Sequence, residues 1–290
     1  MKAPTLSLLG ITAVWGSTFV VVKDAVGKMP VTDFLTWRFA LAALAMLVLR
    51  PRAVAGLGRS GRRAGVLLGL ALGAGYLLQT IGLQTTGAAV SGFITGMFVV
   101  LTPLGAALLL KQSPTRSAWI AVGLATVGLA FLSLHGLSVG GGELLTLGCA
   151  AAFALHIVGL GRWASSYDVY GLAVVQLLTV AAMCAVVAVP GGLAVPPDAG
   201  VWGALALTAL IATAVAFVVQ TWAQAHMAPT RAAVIMTMEP VFAGVFAVAA
   251  ADEHLSPRAV VGAVLVLVAM VLTEVGPRHG AEGDVERLEV

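Results

Sequence analysis

Two charged residues interrupt stretches of the sequence that are otherwise apolar. Glu239 lies directly before Pro240 in the run from 230 to 250, and Arg38 lies early in the run from 32 to 49. If these runs cross a membrane, a carboxylate at their depth costs about 2.5–3.5 kcal/mol and should be protonated, paired or hydrated. Glu239 could bind a proton or an amine, or make a structural hydrogen bond within its own helix. Arg38 could hold a carboxylate through two hydrogen bonds, or it could snorkel outward and brace a helix end.

A second group of candidates consists of single polar or aromatic residues within apolar runs. Polar side chains in membrane spans tend to face the interior of the bundle, and aromatic rings can stack on a ligand. Residues four apart share one face of a helix. The alternative for each polar residue is an interhelical hydrogen bond, worth about 0.6 kcal/mol on average. Together with Arg38 and Glu239, the candidates for substrate binding are Trp15, Ser17, Thr18, Tyr76, Gln79, Ser91, Thr95, His156, Gln176, Gln220 and Gln224.

Two prolines, Pro103 and Pro240, lie inside apolar runs. Within a helix, each would remove one backbone hydrogen bond and free a carbonyl group four residues earlier. Such a group is tolerated at membrane depth only where it faces protein or a water-filled cavity. We therefore predict hinges at both prolines, with a passive bend as the alternative.

The composition determines which elements must carry these residues. Of the 290 residues, 60% are hydrophobic and 10% are charged, and the mean hydropathy is +1.01. A water-soluble chain of this length could not cover its surface with so few charges. Membrane-spanning chains are helical bundles or closed barrels, and the apolar runs lack the alternation of barrel strands. We predict an all-α integral membrane protein.

Apolar runs of a length suited to a bilayer predict ten transmembrane helices. The polar segment 276–290 is predicted to be a disordered cytoplasmic tail. The predicted helices span 4–22, 32–49, 64–84, 88–110, 116–134, 142–162, 168–189, 200–221, 230–250 and 257–275.

The distribution of positive charge predicts the orientation. With the N-terminus inside, twelve of the sixteen Lys and Arg residues fall on the cytoplasmic side and three on the other, while Arg38 lies within a span. This bias predicts a multi-pass protein of the cytoplasmic membrane with both termini inside. The arginines between 50 and 63 therefore indicate topology, and we expect no nucleic acid as a partner.

The chain divides near the glycine-rich segment 136–142 into two groups of five helices, 1–135 and 142–275. The segment 101–106, Leu-Thr-Pro-Leu-Gly-Ala, is weakly similar to 238–243, Met-Glu-Pro-Val-Phe-Ala. Because each group has an odd number of spans, the two copies would be inverted across the bilayer. Inverted repeats that meet at the midplane are typical of secondary transporters.

The chain resembles the drug/metabolite transporter superfamily, specifically its EamA-type members. The residues that carry the resemblance are the segment 15–19 (Trp-Gly-Ser-Thr-Phe), Arg38, the two proline segments and the segment 253–256 (Glu-His-Leu-Ser). The resemblance implies ten helices around a central cavity and transport, by preference export, without a cofactor. It leaves amino acids, amines and related compounds open as substrates, with protons as a possible coupling ion and the oligomeric state undetermined.

Other classes of function fit the residues less well. An intramembrane enzyme would need a nucleophile with a base, paired carboxylates or a metal cluster, whereas the spans hold one glutamate away from their ends, Glu239, and two separated cysteines, Cys149 and Cys184. The segment 56–61 matches a dinucleotide-binding pattern but lacks a preceding strand, so we predict a flexible basic loop there. We expect no enzyme, no metal and no cofactor. An uncoupled facilitator or channel of the same fold remains the alternative to a coupled transporter.

Overall fold

The computed structural model describes residues 3–82, 85, 88–133, 140–251 and 256–275, and within them the regular structure is helical, without a strand. The helices are α1 (Ala3–Val26), α2 (Val31–Leu49), α3 (Ala53–Gly56), α4 (Gly58–Gly82), α5 (Ala88–Gly96), α6 (Phe98–Leu110), α7 (Arg116–Ser133), α8 (Gly141–Trp163), α9 (Val169–Ala188), α10 (Ala199–Ala209), α11 (Ala216–Gln224), α12 (Pro229–Met236), α13 (Glu239–Ala251) and α14 (Pro257–Val275). A π-helical turn, Leu210–Val215, joins α10 to α11 into one rod.

By length and composition, five helical stretches in the described part of the chain could cross a bilayer. They are Val31–Leu49, Gly58–Gly82, Gly141–Ser166, Val169–Gly191 and Ala199–Gln224. Shorter apolar helices cover Ile94–Leu110, Arg116–Phe131 and Pro257–Leu272. Large apolar side chains such as Leu108 are exposed at the outer surface, while threonines such as Thr146 are buried. This distribution suits a surrounding solvent of lipid and confirms a helical, multi-pass membrane fold.

The third apolar segment shows where the predicted boundaries were wrong. Helix α4 begins at Gly58, six residues before the predicted start at 64, so the last four residues of the predicted flexible loop 56–61 are helical. Gly58 has a φ of +64°, a conformation that glycine adopts at little cost. Its carbonyl accepts a hydrogen bond from Arg62 Nε at 3.1 Å. The arginines here are good helix formers, and they extend α4 beyond its apolar part.

Glycines bring α4 close to α8 and α9. A Cβ atom at Gly69 would lie 2.5 Å from the Cβ of Thr179, and one at Gly75 would lie 2.3 Å from the ring of Phe153. Small residues at such contacts let membrane helices approach closely, because dispersion contacts rather than the hydrophobic effect hold them together. This packing fixes the face of α4 that carries Tyr76 and Gln79.

Two of the predicted helices are interrupted. The segment predicted as one helix over 88–110 divides at Met97 between α5 and α6, and the segment predicted over 230–250 divides at Thr237 and Met238 between α12 and α13. Pro103 lies buried inside α6, six residues beyond the first interruption. Pro240 is the second residue of α13. In the first turn of a helix the missing N–H of proline has no intrahelical partner to lose. The carbonyl predicted to be freed at Met236 therefore belongs to the end of α12, ahead of the proline.

Candidate functional site

A cavity of about 480 Å³ lies among α1, α2, α4, α8 and α11, with the two interrupted rods α5–α6 and α12–α13 completing its wall. Six aromatic residues contribute to the wall, and the polar residues are spaced among them. The aromatic residues are Trp15, Phe34, Tyr76, Phe98, Phe153 and Phe217, and the polar ones are Thr18, Arg38, Gln79, Thr80, Thr95, His156, Gln220 and Glu239.

The cavity extends toward one end of the bundle. Its wall includes Val26 at the end of α1, Val31 at the start of α2 and Thr80 near the end of α4. At the opposite end, Leu8 and Ile11 of α1 belong to a buried cluster with side chains of α6, α8 and α12. Packed apolar side chains therefore block access from the end of the bundle at which α1 begins.

Arg38 is held by the π-helical turn in the rod on the other side of the cavity. Its Nε donates to Thr213 Oγ1 at 2.7 Å, and its Nη2 donates to the Ala212 carbonyl at 3.3 Å. The same carbonyl accepts a hydrogen bond from Trp15 Nε1 at 2.8 Å. Arg38 is 6% exposed, and both acceptors are neutral. Its positive charge is therefore not neutralised by a bonded carboxylate among the described residues.

Glu239 is the first residue of α13 and lines the same cavity. A carboxylate at a helix N-terminus is stabilised by the positive end of the helix dipole. Its side chain is partly buried, and it makes no hydrogen bond or ion pair with any described residue. Glu239 and Arg38 do not form a salt bridge with each other, and both bonds of Arg38 go to neutral acceptors. The cavity wall thus contains one acidic and one basic residue that are not paired with each other.

Neutral polar residues line another part of the wall. His156 Nε2 lies 2.7 Å from Gln176 Oε1, and the amide of Gln176 donates to the Leu172 carbonyl at 3.1 Å. Gln79 Nε2 donates to Thr95 Oγ1 at 3.1 Å. Gln176 is fully buried and lies outside the cavity wall. It therefore fixes the orientation of the His156 ring, while His156 itself reaches the cavity.

Two hydrogen-bonded glutamines lie between the cavity and the blocked end of the bundle. Gln220 Nε2 donates to Gln224 Oε1 at 3.1 Å, and Gln224 Nε2 donates to the Ile157 carbonyl at 3.1 Å. Gln220 lines the cavity, whereas Gln224 lies beyond its wall with 2% of its surface exposed. Gln224 therefore has a structural position, between α11 and α8.

The predicted candidates fall into two groups in the structure. Four of them lie outside the cavity wall, namely Ser17, Ser91, Gln176 and Gln224. The Ser17 hydroxyl donates to the carbonyl of Val14 in its own helix at 2.8 Å, so its hydrogen bond is local to α1. The remaining nine candidates line one cavity: Trp15, Thr18, Arg38, Tyr76, Gln79, Thr95, His156, Gln220 and Glu239.

Sequence reasoning missed several residues of the site, including the polar wall residue Thr80. Four phenylalanines of the wall gave no signal, because a phenylalanine in an apolar span is ordinary. Thr213 was also overlooked, although it is a polar residue in the apolar run from 205 to 219. The π-helical turn that brings Thr213 and the Ala212 carbonyl to Arg38 has no recognisable sequence pattern here.

The family and the two relatives that match this chain are all transporters. The model of the EamA-like transporter family matches residues 3–134 and 140–275. An uncharacterized transporter of Archaeoglobus fulgidus is 35% identical over 268 residues, which cover 92% of this chain and 84% of that protein. The uncharacterized transporter YyaM of Bacillus subtilis is 25% identical over 287 residues, which cover 93% of each chain. These matches confirm the resemblance that the motifs indicated.

The fold is also similar to that of a solved structure, described as a crystal structure of a protein, and the match covers the whole of both chains. The TM-score is 0.77 and the sequence identity is 17%. At this identity the likeness shows that the fold is shared.

Proposed function

Since this chain belongs to the EamA-like transporter family and is a membrane transporter, we propose that it exports small metabolites, such as amino acids or amines, by alternating access. It works as a secondary transporter in the cytoplasmic membrane, and the cavity is its substrate site. The observation that carries the proposal is a cavity that extends toward one end of the bundle, is blocked at the other end among the described residues, and is lined by one acidic and one basic residue.

Two inverted repeats of five spans would provide the two conformations that alternating access requires. The family model matches two stretches, 3–134 and 140–275, that fall on the predicted halves. In both halves the fourth apolar segment is interrupted, at Met97 and at Thr237–Met238. Discontinuous helices next to the substrate site are a recurrent property of transporters built from inverted repeats. These observations support ten spans in two inverted halves.

The positive residues indicate which way the cavity faces in the membrane. Arg59, Arg62 and Arg63 lie at the start of α4, and Arg162 lies near the end of α8. Positive residues favour the cytoplasmic side, so we infer that the blocked end of the bundle is cytoplasmic and that the cavity faces the outside. A carrier passes through this conformation in either direction of transport, so the preference for export rests on the resemblance to the drug/metabolite transporters.

Glu239 is the residue we propose for proton coupling. A carboxylate with no protein partner can hold a proton in one conformation and release it in another, and its charge is costly at this depth. A proton gradient could then drive export if protonation of Glu239 and binding of a substrate amine exclude each other.

The test is transport in proteoliposomes that contain the full-length protein. Uptake of labelled amino acids and amines is measured with and without an imposed pH gradient, for the wild type, Glu239→Gln and Asp24→Asn. Asp24 is an exposed carboxylate of α1 that lies outside the cavity wall, so its variant controls for the loss of one negative charge. We expect saturable flux that follows the gradient in the wild type and in Asp24→Asn, and that no longer follows it in Glu239→Gln.

Three other results would change the proposal. Saturable flux that ignores both the gradient and the Glu239 substitution would indicate a facilitator, with Glu239 in a structural role. Flux that increases linearly with concentration would indicate a channel. Absence of flux for every compound, with a correctly folded protein, would overturn transport of amino acids and amines.

A further inference from the structure

A second cavity lies away from the central one, where α4 begins and α8 ends. Its volume is about 640 Å³, and none of the residues in its wall lines the central cavity. We call it the basic pocket. Its wall includes polar and apolar side chains from α4 on one side and two aromatic rings on the other, namely Arg59, Ser60, Arg63, Leu67, Trp163 and Tyr167.

The two arginines of the basic pocket are not paired within the protein. Arg59 and Arg63 are four residues apart, so they lie on one face of α4. Both are exposed, and neither makes a hydrogen bond or an ion pair with a described residue. The wall formed by the described residues contains no Asp or Glu. Two positive charges therefore line the pocket without a carboxylate to neutralise them.

The carboxylate that is adjacent to the pocket in the sequence is already engaged elsewhere. Asp168 follows Tyr167 and accepts two hydrogen bonds from Arg50 Nη1, at 3.1 and 3.2 Å. It also accepts from the backbone N–H of Gly171 at 2.8 Å, which caps the start of α9. Asp168 is not part of the wall of the basic pocket. The pocket therefore retains its positive charge.

The direction of α4 adds to the attraction for an anion. The N-terminus of a helix carries a partial positive charge, so acidic side chains are favoured in its first turn and basic ones are not. The first turn of α4 has no acidic residue and contains Arg59. An anion between Arg59 and Arg63 would therefore be attracted by the two guanidinium groups and by the helix end together.

The other residues of the wall indicate that the ligand also has an apolar part. Leu67 lies one turn beyond Arg63, in the apolar part of α4, and it is 47% exposed. Trp163 and Tyr167 pack against a buried cluster that includes Leu68 and Leu172, which holds both rings in place. Tryptophan and tyrosine are enriched where a membrane protein passes from the head groups to the acyl chains. The pocket thus extends from a charged surface to an apolar one.

We propose that the basic pocket binds an anionic phospholipid of the cytoplasmic leaflet. Its phosphate binds between Arg59 and Arg63, because guanidinium groups match the geometry of phosphate oxygens. An acyl chain lies along Leu67. Basic pockets between membrane helices on the cytoplasmic side suit such head groups, and the positive residues place this end of the bundle on that side. The site is separate from the central cavity and does not depend on which substrate is transported.

A bound lipid at this position would connect the two halves of the chain. Helix α4 lies in the first stretch that the family model matches, and α8 with Tyr167 lies in the second. The pocket is at the end of the bundle where the central cavity is blocked. An anionic lipid that contacts both halves there would stabilise the conformation with this end closed.

The inference is tested with the purified full-length protein in phosphatidylcholine bilayers. Brominated phosphatidylglycerol or brominated phosphatidylcholine with the same acyl chains is added, because bromine quenches the fluorescence of a tryptophan that it contacts. The signal of Trp163 is the difference between each protein and its Trp163→Phe derivative. We expect phosphatidylglycerol to bind beside Trp163 at least about fivefold more tightly than phosphatidylcholine, with a preference that decreases as salt is added.

Substitutions show whether the pocket or the general surface charge causes this preference. Arg59→Gln combined with Arg63→Gln should remove the preference. Arg52→Gln combined with Arg162→Gln removes the same charge from exposed residues that lie outside the wall, and it should leave the preference unchanged. A preference that survives the first pair of substitutions, or that both pairs reduce equally, would overturn the proposal.

Two further comparisons keep the test decisive. The single variants Arg59→Gln and Arg63→Gln should each reduce the preference at least about twofold, and they decide the question if the double variant does not fold. Inorganic phosphate should not displace the brominated lipid when both are present at equal concentration. Displacement by phosphate would mean that the pocket binds a soluble anion and that the lipid is the wrong ligand.

Discussion

At the end of the bundle where α1 begins, buried side chains of several helices meet across the axis of the cavity, whereas toward the other end, which we call the open end, the cavity continues among the described residues. The blocked end contains Leu8, Ile11, Ile157 and Ile235 in one apolar cluster. The buried cluster at the open end has its members in α1, α2, α10 and the turn after α1. Among the described residues, apolar packing therefore crosses the axis of the cavity at the blocked end and stays on one side of it at the open end.

The polar interactions at the two ends also differ. At the blocked end, Gln224 bonds to the Ile157 carbonyl, and Arg231 Nη2 donates to Thr5 Oγ1 at 2.9 Å, all among buried atoms. At the open end, Lys28 and Asp198 form a salt bridge of 3.0 Å whose side chains are 53% and 44% exposed. Exposed ion pairs contribute little because water and salt screen them. The blocked end has an exposed ion pair as well, Arg50 with Asp168 at 3.1 Å, so what distinguishes it is the set of buried hydrogen bonds across the closure and not its ion pairs.

The largest effect is expected where α1 packs against α13, between the two ends. A Cβ atom at Gly16 would lie 2.8 Å from the Ala243 nitrogen and from the Glu239 carbonyl. Gly16→Ala should push α1 away from α13, destabilise the protein by about 1–3 kcal/mol and reduce transport. Gly10→Ala is the matched control in the same helix, because no atom lies within 4 Å of its new Cβ. Equal unfolding temperatures for the two variants would contradict this close approach.

A smaller effect is expected at the blocked end itself. Gln224→Leu removes the donor to the Ile157 carbonyl and leaves Gln220 without one acceptor, at a cost of about 1 kcal/mol. Opening of this end should become several-fold more frequent. The measurement is the alkylation rate of a cysteine placed at the buried Met227, in a background without Cys149 and Cys184. Gln112→Leu, at an exposed glutamine, is the control, and equal rates for both variants would show that Gln224 does not stabilise the closure.

The smallest effect is expected at the open end. The backbone N–H of Val201 and, second, Lys28 lower the pKa of the Asp198 carboxyl below its ordinary value of 3.8. These contacts stabilise the folded chain above that value, and the contribution is lost as the pH falls through the lowered pKa.

Lys28→Ala should leave transport at neutral pH unchanged, whereas Asp198→Ala also removes a helix cap and should lower the unfolding temperature. A strong transport defect in Lys28→Ala would mean that the ion pair controls the cavity.

Much of the fold was predictable from local composition. The apolar runs predicted helices with boundaries within a few residues of those observed, as for α2, predicted over 32–49 and observed over Val31–Leu49. The start of α4 was missed because polar residues continued the helix past the apolar run. The interruptions at Met97 and Thr237–Met238 were expected at the prolines, but they precede them. A proline is visible in a sequence, whereas the turn that ends a helix ahead of it depends on the packing of both halves.

The candidate site was predicted less completely. Arg38 and Glu239 were identified because charges are conspicuous in apolar runs, and the structure brings both to one cavity. Gln176 and Gln224 have the same polar character as Gln79 and Gln220, yet they lie outside the wall. The pattern of residue types does not distinguish them, because the rotation of each helix about its axis is set by its neighbours.

The sequence by itself determined the solvent and the secondary structure of this protein, because a chain with 60% hydrophobic and 10% charged residues can satisfy its backbone in lipid only through regular hydrogen bonding. Tertiary structure decided which polar groups meet. The π-helical turn at Leu210–Val215 adds one residue to a helical turn, which rotates the following side chains by about 100° relative to an uninterrupted α-helix. The same turn accepts hydrogen bonds from Trp15 and Arg38, which lie more than 170 residues away in the sequence. These long-range contacts cannot be seen in the local sequence.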